Sequence, residues 1–336
     1  MKTIICQEPG KIEIIEQDNV NTVNAGEVLL SIKRIGICGT DIHAYGGNQP
    51  FFHYPRILGH ELAAVVVEVG EGVSTVHAGD IVTVIPYMHC GTCISCKNGK
   101  TNCCTNMKVL GVHIDGGMTE FFVLPASHVL KVNDLSLDEA ALIEPLSIGA
   151  HAIRRADVKQ ADTVLVIGAG PIGLGVAKFA KLSGTKTIVM DISEERLKFC
   201  QEWTNCDAIV LSSENNEEIL RNLNEGNLPT IVLDATGNAA SMMGAFNYAS
   251  HGGKLIYVGL FKGEITFNDP DFHSKELTLM GSRNATLEDF QHVIQFMENG
   301  EIDAEAYISQ NLSFEQAVEH FTNKNFNSNK AVITLD

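Results

Sequence analysis

Five of the chain's nine cysteines fall within fifteen residues, CGTCISCKNGKTNCC from Cys90 to Cys104. Four of them, Cys90, Cys93, Cys96 and Cys104, follow C-x2-C-x2-C-x7-C, a spacing that lets a short lobe wrap four thiolates around one tetrahedral zinc. Four protein ligands close the coordination shell and leave no position for water or substrate. Such a site fixes a loop that has little core of its own and does no chemistry. Cys103 is the odd thiol, and spacing alone selects Cys104 over it. Four thiolates also suit iron, so an iron–sulfur cluster is the competing reading, with a catalytic thiol as a third. In a reducing cytoplasm so dense a cluster favours metal binding over disulfides.

The chemistry must then lie elsewhere. Three separated segments carry further metal-ligand types: GICGTDIH with Cys38, GHE with His60 and Glu61, and ALIEPLSIGAHA with Glu144. Singly, each has an ordinary explanation: a core thiol, a surface imidazole, a carboxylate at a helix start beside Pro145. Together, sulfur, nitrogen and oxygen donors with an open position are what a catalytic zinc needs, acting as a Lewis acid on a bound alcohol. Thr40 and His43, two and five residues past Cys38, are placed to pass the alcohol's proton to solvent. Asp41 is placed to orient His60.

A second chemical signal is VLVIGAGPIGL, in which Gly168, Gly170 and Gly173, with Pro171 and Ile172 between the last two, match G-x-G-x-x-G between a strand-like and a helix-like run. The first glycine allows the tight turn, the second lets backbone approach a pyrophosphate, and the third lets helix and strand pack closely. Asp191 closes the next strand-like run, where a carboxylate can accept hydrogen bonds from ribose hydroxyls and would repel a 2′-phosphate; this favours NAD over NADP. Arg196, five residues on, could accept a phosphate or stack on adenine. An ordinary glycine turn in an α/β sheet is the plain alternative.

These residues need elements to hold them. The first third is β-rich, with short apolar runs such as EVLLSIKRIGI and ELAAVVVEVG punctuated by glycine, proline and asparagine, which suggests a barrel or sandwich. Near Asp162 the texture changes to alternating strand and helix (TVLVIG, KTIVMD, CDAIVL, TIVLDATG, GKLIYVGL, ELTLMGS), the rhythm of a doubly wound parallel sheet. The last fifty residues hold two helical stretches, TLEDFQHVIQFMENG and SFEQAVEHF, and a closing strand KAVITLD, expected to pack back on the first domain. The expected division is 1–147, with the cysteine lobe at about 88–106, then 148–284, then a returning segment 285–336. At 45% hydrophobic and 19% charged residues the composition is that of a folded chain, and a net charge of −17 argues against diffuse binding to nucleic acid or an anionic membrane. The N-terminus, MKTIICQEPGKIEII, lacks a signal peptide's apolar core, and no apolar run reaches the ~18 residues that span a bilayer, so a cytoplasmic protein is expected.

GICGTDIH, GHE, the four-cysteine lobe and GAGPIGL, in this order across nearly the whole chain, resemble the zinc-containing medium-chain dehydrogenase/reductase family. The branch resembled is that of sorbitol and threonine dehydrogenases, where glutamate replaces a zinc-binding cysteine of the classical alcohol dehydrogenases. The resemblance implies an α/β chain with a GroES-like catalytic domain, a Rossmann domain, a cleft between them, NAD, and one structural and one catalytic zinc. It also implies catalytic zinc at Cys38 and His60, completed by Glu61 or Glu144. Glu61 adjoins His60 and in an extended strand would face away from it. Glu144 is therefore the expected resting ligand, together with water, and Glu61 a neighbour able to swing in. By the same resemblance Leu260 and Ser282 fall where the chain passes the nicotinamide.

The match continues in AYGGNQPFFHYPRILGHE, GVHIDGGMTEF and GLFKGEITFNDPDFHSKELTLMGSRNAT, which look similar to bacterial sugar-acid dehydrogenases that oxidise the C5 hydroxyl of L-galactonate or L-gulonate to a ketone. A sugar acid's carboxylate needs a cation or several donors. Arg56, His113, Lys262 and Arg283 are candidates, and Asn48 and Gln49 could bind hydroxyls; a solvated surface role suits each equally. A neutral polyol or L-threonine is the alternative substrate, and a zinc-stabilised NAD-binding protein without turnover the alternative outside enzymes. Cys38, Thr40, His43, His60 and Glu144 together favour the enzyme. The resemblance further implies a homo-oligomer, a dimer or tetramer paired through strands of the cofactor domain; KLIYVGL suits such an edge and equally suits a buried strand.

Overall fold

In the computed structural model, which describes residues 1–18, 22–49, 52–323 and 329–335, the ten-residue strand Glu27–Gly36 organises the first part of the chain. Pro50 and Phe51 of the AYGGNQPFFHYPRILGHE stretch and Asp336 of the closing strand lie outside the described residues. Valine, leucine and isoleucine on Glu27–Gly36 are buried, and three strands pair antiparallel with it: Glu61–Val69, Phe121–Pro125 and Ala331–Thr334. Ile81–Val84 and Val129–Lys131 extend the sheet on one side, Gln310–Leu312 on the other, giving seven strands. Register shifts at Leu29/Leu30 and Ile32/Arg34 bend the central strand, as β-bulges do. The C-terminal segment is part of this unit: Ile333 pairs with Ile35, and Leu312, Phe314, Phe321 and Ile333 share one apolar core with Ile4, Leu30 and Leu62. The Phe321 ring also lies 5.8 Å from Tyr45, on the short helix Gly39–Tyr45.

The chain divides into two compact units, Met1–Glu144 with Thr286–Asp336, and Pro145–Ala285. In the second, six parallel strands, counted one to six along the chain from Thr163–Ile167 to Thr278–Gly281, lie in the order 3-2-1-4-5-6. That is the doubly wound Rossmann order, with its topological switch beside strand one, where the glycine turn leaves the sheet. Gly168 has φ +98°, and a Cβ on Gly173 would sit 1.7 Å from the Gly168 carbonyl oxygen, so both positions require glycine. Gly170 has open space where its Cβ would be.

Two local alternatives are decided. Of the two readings of KLIYVGL the interior strand holds: Lys254–Tyr257 pairs on both sides, and the sheet's edges are Ala208–Leu211 and the largely exposed Thr278–Gly281. Glu144 and Pro145 do not start a helix but lie inside the twenty-residue helix Leu137–Ala156. Pro145 has no N–H to offer the carbonyl four residues back. The helix continues because Ala140, Ala141, Leu142, Ile143 and Leu146 around it are fully buried, and packing overrides propensity.

The cysteine lobe projects from a two-stranded ladder, Tyr87–Met88 with Lys108–Val109, and carries a four-residue helix, Ile94–Lys97, with no buried residue. Sulfur atoms of Cys90, Cys93, Cys96 and Cys104 lie within 4.8 Å of one another, whereas Cys103 is exposed and outside the group. Backbone amides point at the sulfurs: Cys93 N–H at Cys90 Sγ (3.4 Å), and Asn106 N–H and Cys90 N–H at Cys104 Sγ (3.4 and 3.3 Å). Hydrogen bonds from Thr92 and then from Cys93 pull the Cys90 thiol down to about 5, the thiolate form that a metal takes. The donor set fits zinc, and the lobe has almost nothing else to hold it. No helix among the described residues is long and apolar enough to cross a membrane.

Two outcomes follow for variants. Cys104→Ser should lose one zinc per chain by metal analysis and lower the melting temperature, while Cys103→Ser should change neither. Gly173→Ala should cost about 1–3 kcal/mol or more in denaturant unfolding, because backbone must move, whereas Gly170→Ala should stay within about 0.5 kcal/mol.

Candidate active site

At one end of the first unit's sheet, Gly36 stands opposite Glu61, and just beyond them both strands give way to less regular chain. Cys38 caps the helix Gly39–Tyr45, and His60 immediately precedes the strand Glu61–Val69. Asp41 joins these segments. Its Oδ2 accepts from the Cys38 amide at 2.9 Å and its Oδ1 from the Gly59 amide at 3.3 Å, inside the protein. Asp41 Oδ1 is 3.9 Å from His60 Nδ1, which is buried and has no hydrogen-bond partner, so Asp41 positions His60 chiefly through the backbone.

Donor atoms of Cys38, His60 and Glu61 lie within 4.8 Å of one another. A tetrahedral zinc with bonds of about 2.0–2.3 Å spaces its ligands roughly 3.3–3.8 Å apart, so the trio fits zinc with a fourth position left over. Burial works against a charge on His60, but Cys38 and Asp41 beside it hold its pKa well above the usual range, the mark of a pocket crowded with anions.

Glu61 does not face away from His60 as strand alternation would have it. Alternation governs residues inside a strand, and His60 lies before its first residue, following Gly59 at φ +91°. Gly36 supplies the space: a Cβ there would sit 1.9 Å from Glu61 Oε2. Across that gap the carboxylate meets Lys330 Nζ in an ion pair whose side chains are 1% and 2% exposed. Lys330 Nζ also donates to the Ile37 carbonyl at 3.2 Å, one residue before Cys38. Burial works against the charge on this lysine, yet Glu61 and Cys38 outweigh burial and raise its pKa. Ser309 clamps the lysine's backbone, its amide donating to Lys330 O at 2.9 Å and its Oγ accepting from Lys330 N at 3.1 Å.

Glu144, the expected ligand, is buried nearby but outside the converging trio, and accepts a hydrogen bond from the Tyr87 hydroxyl. Burial pushes its carboxyl up to about 7 against the pull of His60, with Glu61 adding to the rise. The Tyr87 ring stands edge-on to Phe290 at 6.2 Å. Tyr307 is wholly buried, and burial followed by the charges of Glu61, Cys38 and Glu144 raises its hydroxyl. Thr40 is half-buried and His43, one turn on, is exposed, so the helix leads from the pocket to water. Lys330, Tyr87, Tyr307 and Gly36 were not singled out from sequence. Gly36, the first residue of GICGTDIH, was in view, but its role depends on a strand pairing that no local pattern announces.

In the second unit, Pro171 and Ile172 open the helix Pro171–Leu182 after Gly170. Asp191 accepts from the Ala169 amide (Oδ2, 2.6 Å) and the Ser193 amide (Oδ1, 2.8 Å), which locks its carboxylate beside the glycine turn. Arg196 is exposed on the following helix, and Leu260 is 69% exposed. Ser282 has a buried hydroxyl without a hydrogen-bond partner. Of the candidates for substrate, Arg56 is held by Asp115 at 3.1 Å, His113 Nδ1 accepts from the Val109 amide at 3.1 Å, and Lys262, Arg283 and Asn48 are exposed. Gln49 Oε1 is buried with no partner.

Residues 24–134 match the family described as alcohol dehydrogenase GroES-like domain, and residues 171–299 the family described as zinc-binding dehydrogenase. L-galactonate-5-dehydrogenase of Escherichia coli K12 is 43% identical over 338 aligned residues, covering 100% of this chain and 99% of that protein. Sorbitol dehydrogenase of Bacillus subtilis 168 is 32% identical, covering 94% and 91%. A crystal structure of the alcohol dehydrogenase rspB from Escherichia coli CFT073, complexed with NADH, superposes with a TM-score of 0.92 at 33% identity, covering 100% and 99%. With the Cys38–His60–Glu61 trio, the four-cysteine lobe and the Rossmann sheet on one chain, and relatives aligned along its whole length, the chain belongs to the zinc-binding alcohol dehydrogenases of the medium-chain family and is an oxidoreductase acting on alcohol groups.

Proposed function

We propose that the protein oxidises a secondary alcohol of a sugar acid, the C5 hydroxyl of L-galactonate or L-gulonate, to a ketone with NAD as hydride acceptor. The observation that carries this is 43% identity, along the entire chain, to an enzyme named for L-galactonate. NAD is supported by the NADH-bound relative and by Asp191, whose anchored carboxylate suits ribose hydroxyls and repels a 2′-phosphate. Gly168, Gly170 and Gly173, with Pro171 and Ile172 at the helix start, would hold the pyrophosphate, and the open space at Gly170 leaves room for it. Arg196 borders the adenosine, and Leu260 and Ser282 border the nicotinamide.

Cys38 and His60, with Glu61 or Glu144, would hold a zinc, which when bound would supply a Lewis acid for the substrate hydroxyl. Thr40 takes the hydroxyl proton from inside and His43 delivers it to solvent, in keeping with their graded exposure. Cys90, Cys93, Cys96 and Cys104 hold the second zinc. Arg56, already oriented by Asp115, is the cation favoured for the substrate carboxylate, with the unpartnered Gln49 Oε1 turned to a hydroxyl. The enzyme works in the cytoplasm as a dimer or tetramer, and the exposed strand Thr278–Gly281 is the edge available for pairing. A neutral polyol is the second reading, favoured by the likeness to sorbitol dehydrogenase.

The test is NADH formation at alkaline pH from zinc-replete protein offered L-galactonate, L-gulonate, their D-epimers, sorbitol and L-threonine. Turnover confined to the L-sugar acids is expected; turnover of sorbitol alone would transfer the assignment to polyols. His60→Ala should lower kcat/KM by at least about 1,000-fold, the several kcal/mol that a Lewis acid supplies. Arg56→Met should raise KM for the acid while leaving sorbitol, if it reacts at all, unaffected.

A further inference from the structure

The metal pocket contains two buried carboxylates, Glu61 and Glu144, and a buried lysine that forms an ion pair with the first. Lys330 reaches Glu61 over the middle strand of three: Glu61 begins one strand, Gly36 stands opposite it on the next, and Val332, two residues after Lys330, pairs with Gly36 from the other side. Any side chain at position 36 would occupy the Glu61 carboxylate's place. The same ammonium holds the Ile37 carbonyl at 3.2 Å, so it is tied to the segment that carries Cys38 as well. Glu144 is held differently, by a neutral hydroxyl on Tyr87.

We propose that Lys330 is a positioning residue of the metal centre: acting across the gap at Gly36, it keeps the Glu61 carboxylate beside Cys38 and His60, and so sets how firmly and in what geometry the centre holds its metal. This rests on the reading of Cys38 and His60 as zinc ligands. The physical reason is that a carboxylate one methylene group longer than aspartate has several rotamers, and a fixed cation in a low-dielectric pocket selects one of them. The returning C-terminal segment, remote in sequence from every ligand, would then set the ligand geometry.

Cobalt(II) can replace zinc, and its visible ligand-field spectrum reports ligand type and geometry without any turnover. The wild-type chain should take up two metal ions; only one, in the cysteine lobe, would mean that the Cys38 site is not a metal site, and the inference would fall with that reading. Given two, Lys330→Met and Gly36→Ala should each alter the cobalt spectrum of the second site and speed metal loss to a chelator by about 10- to 100-fold, the usual effect of removing a group that orients a ligand. Lys330→Arg should restore both. The two variants disturb Glu61 by different means, one removing its cation and the other filling its space, so a folded Gly36→Ala protein tests the idea even if Lys330→Met does not fold. An unchanged cobalt spectrum and metal off-rate in either folded variant would overturn it, leaving Lys330 a purely structural charge.

Discussion

The constraint on which the site depends is charge burial. Cys38, Asp41, His60, Glu61 and Glu144 are gathered in one pocket, four of them at 5% exposure or less. Anions in a medium of low polarity raise one another's energy steeply unless cations or donors meet them. Asp41 is met by two backbone amides, Glu144 by the Tyr87 hydroxyl, and Glu61 by Lys330. Removing one member of a buried ion pair typically costs about 3–5 kcal/mol, so Lys330 and Glu61 depend on each other. A dipositive ion held among Cys38, His60 and Glu61 would complete the neutralisation, and folding and metal binding are coupled in centres of this kind.

This coupling gives the returning C-terminal segment its significance. Ala331–Thr334 pairs with Glu27–Gly36, and the pairing delivers Lys330 to the pocket while Ser309 holds its backbone. Phe321 against Tyr45 fastens the same segment to the short helix that carries Thr40 and His43. One apolar core therefore fixes donor atoms drawn from positions 38, 60 and 61 together with a cation from position 330. Side chains in such a core are close-packed, so small displacements of the segment are felt at the site.

The cofactor turn and the cysteine lobe follow a simpler logic. Each is local: three glycines and one aspartate within 24 residues in one case, four cysteines within fifteen in the other. Their geometry is dictated by short-range sterics and coordination, the 1.7 Å approach at Gly173 and the amide-to-sulfur bonds of the lobe. For that reason both could be read from spacing with little knowledge of the fold.

How much of the protein was legible in its sequence divides along the same line. The strand and helix rhythm, the glycine turn, the choice among ligand-bearing segments and the family itself were carried by motifs whose residues lie within one or two turns or strands of each other. The site's finer arrangement was not. Strand alternation set Glu61 aside in favour of Glu144, the KLIYVGL run left edge and interior undecided, and Pro145 suggested a helix start where a buried helix continues. Lys330, Tyr87 and Gly36 matter only because sheet pairing and core packing bring residues 36, 61, 87, 144 and 330 together. By itself the sequence determined which chemical groups this protein has and which local turns and loops they occupy, since those depend on neighbours in the chain. Only the tertiary structure decided which carboxylate stands beside Cys38 and His60 and which cation neutralises it, because those contacts are long-range and their energies exist only once the pocket is closed.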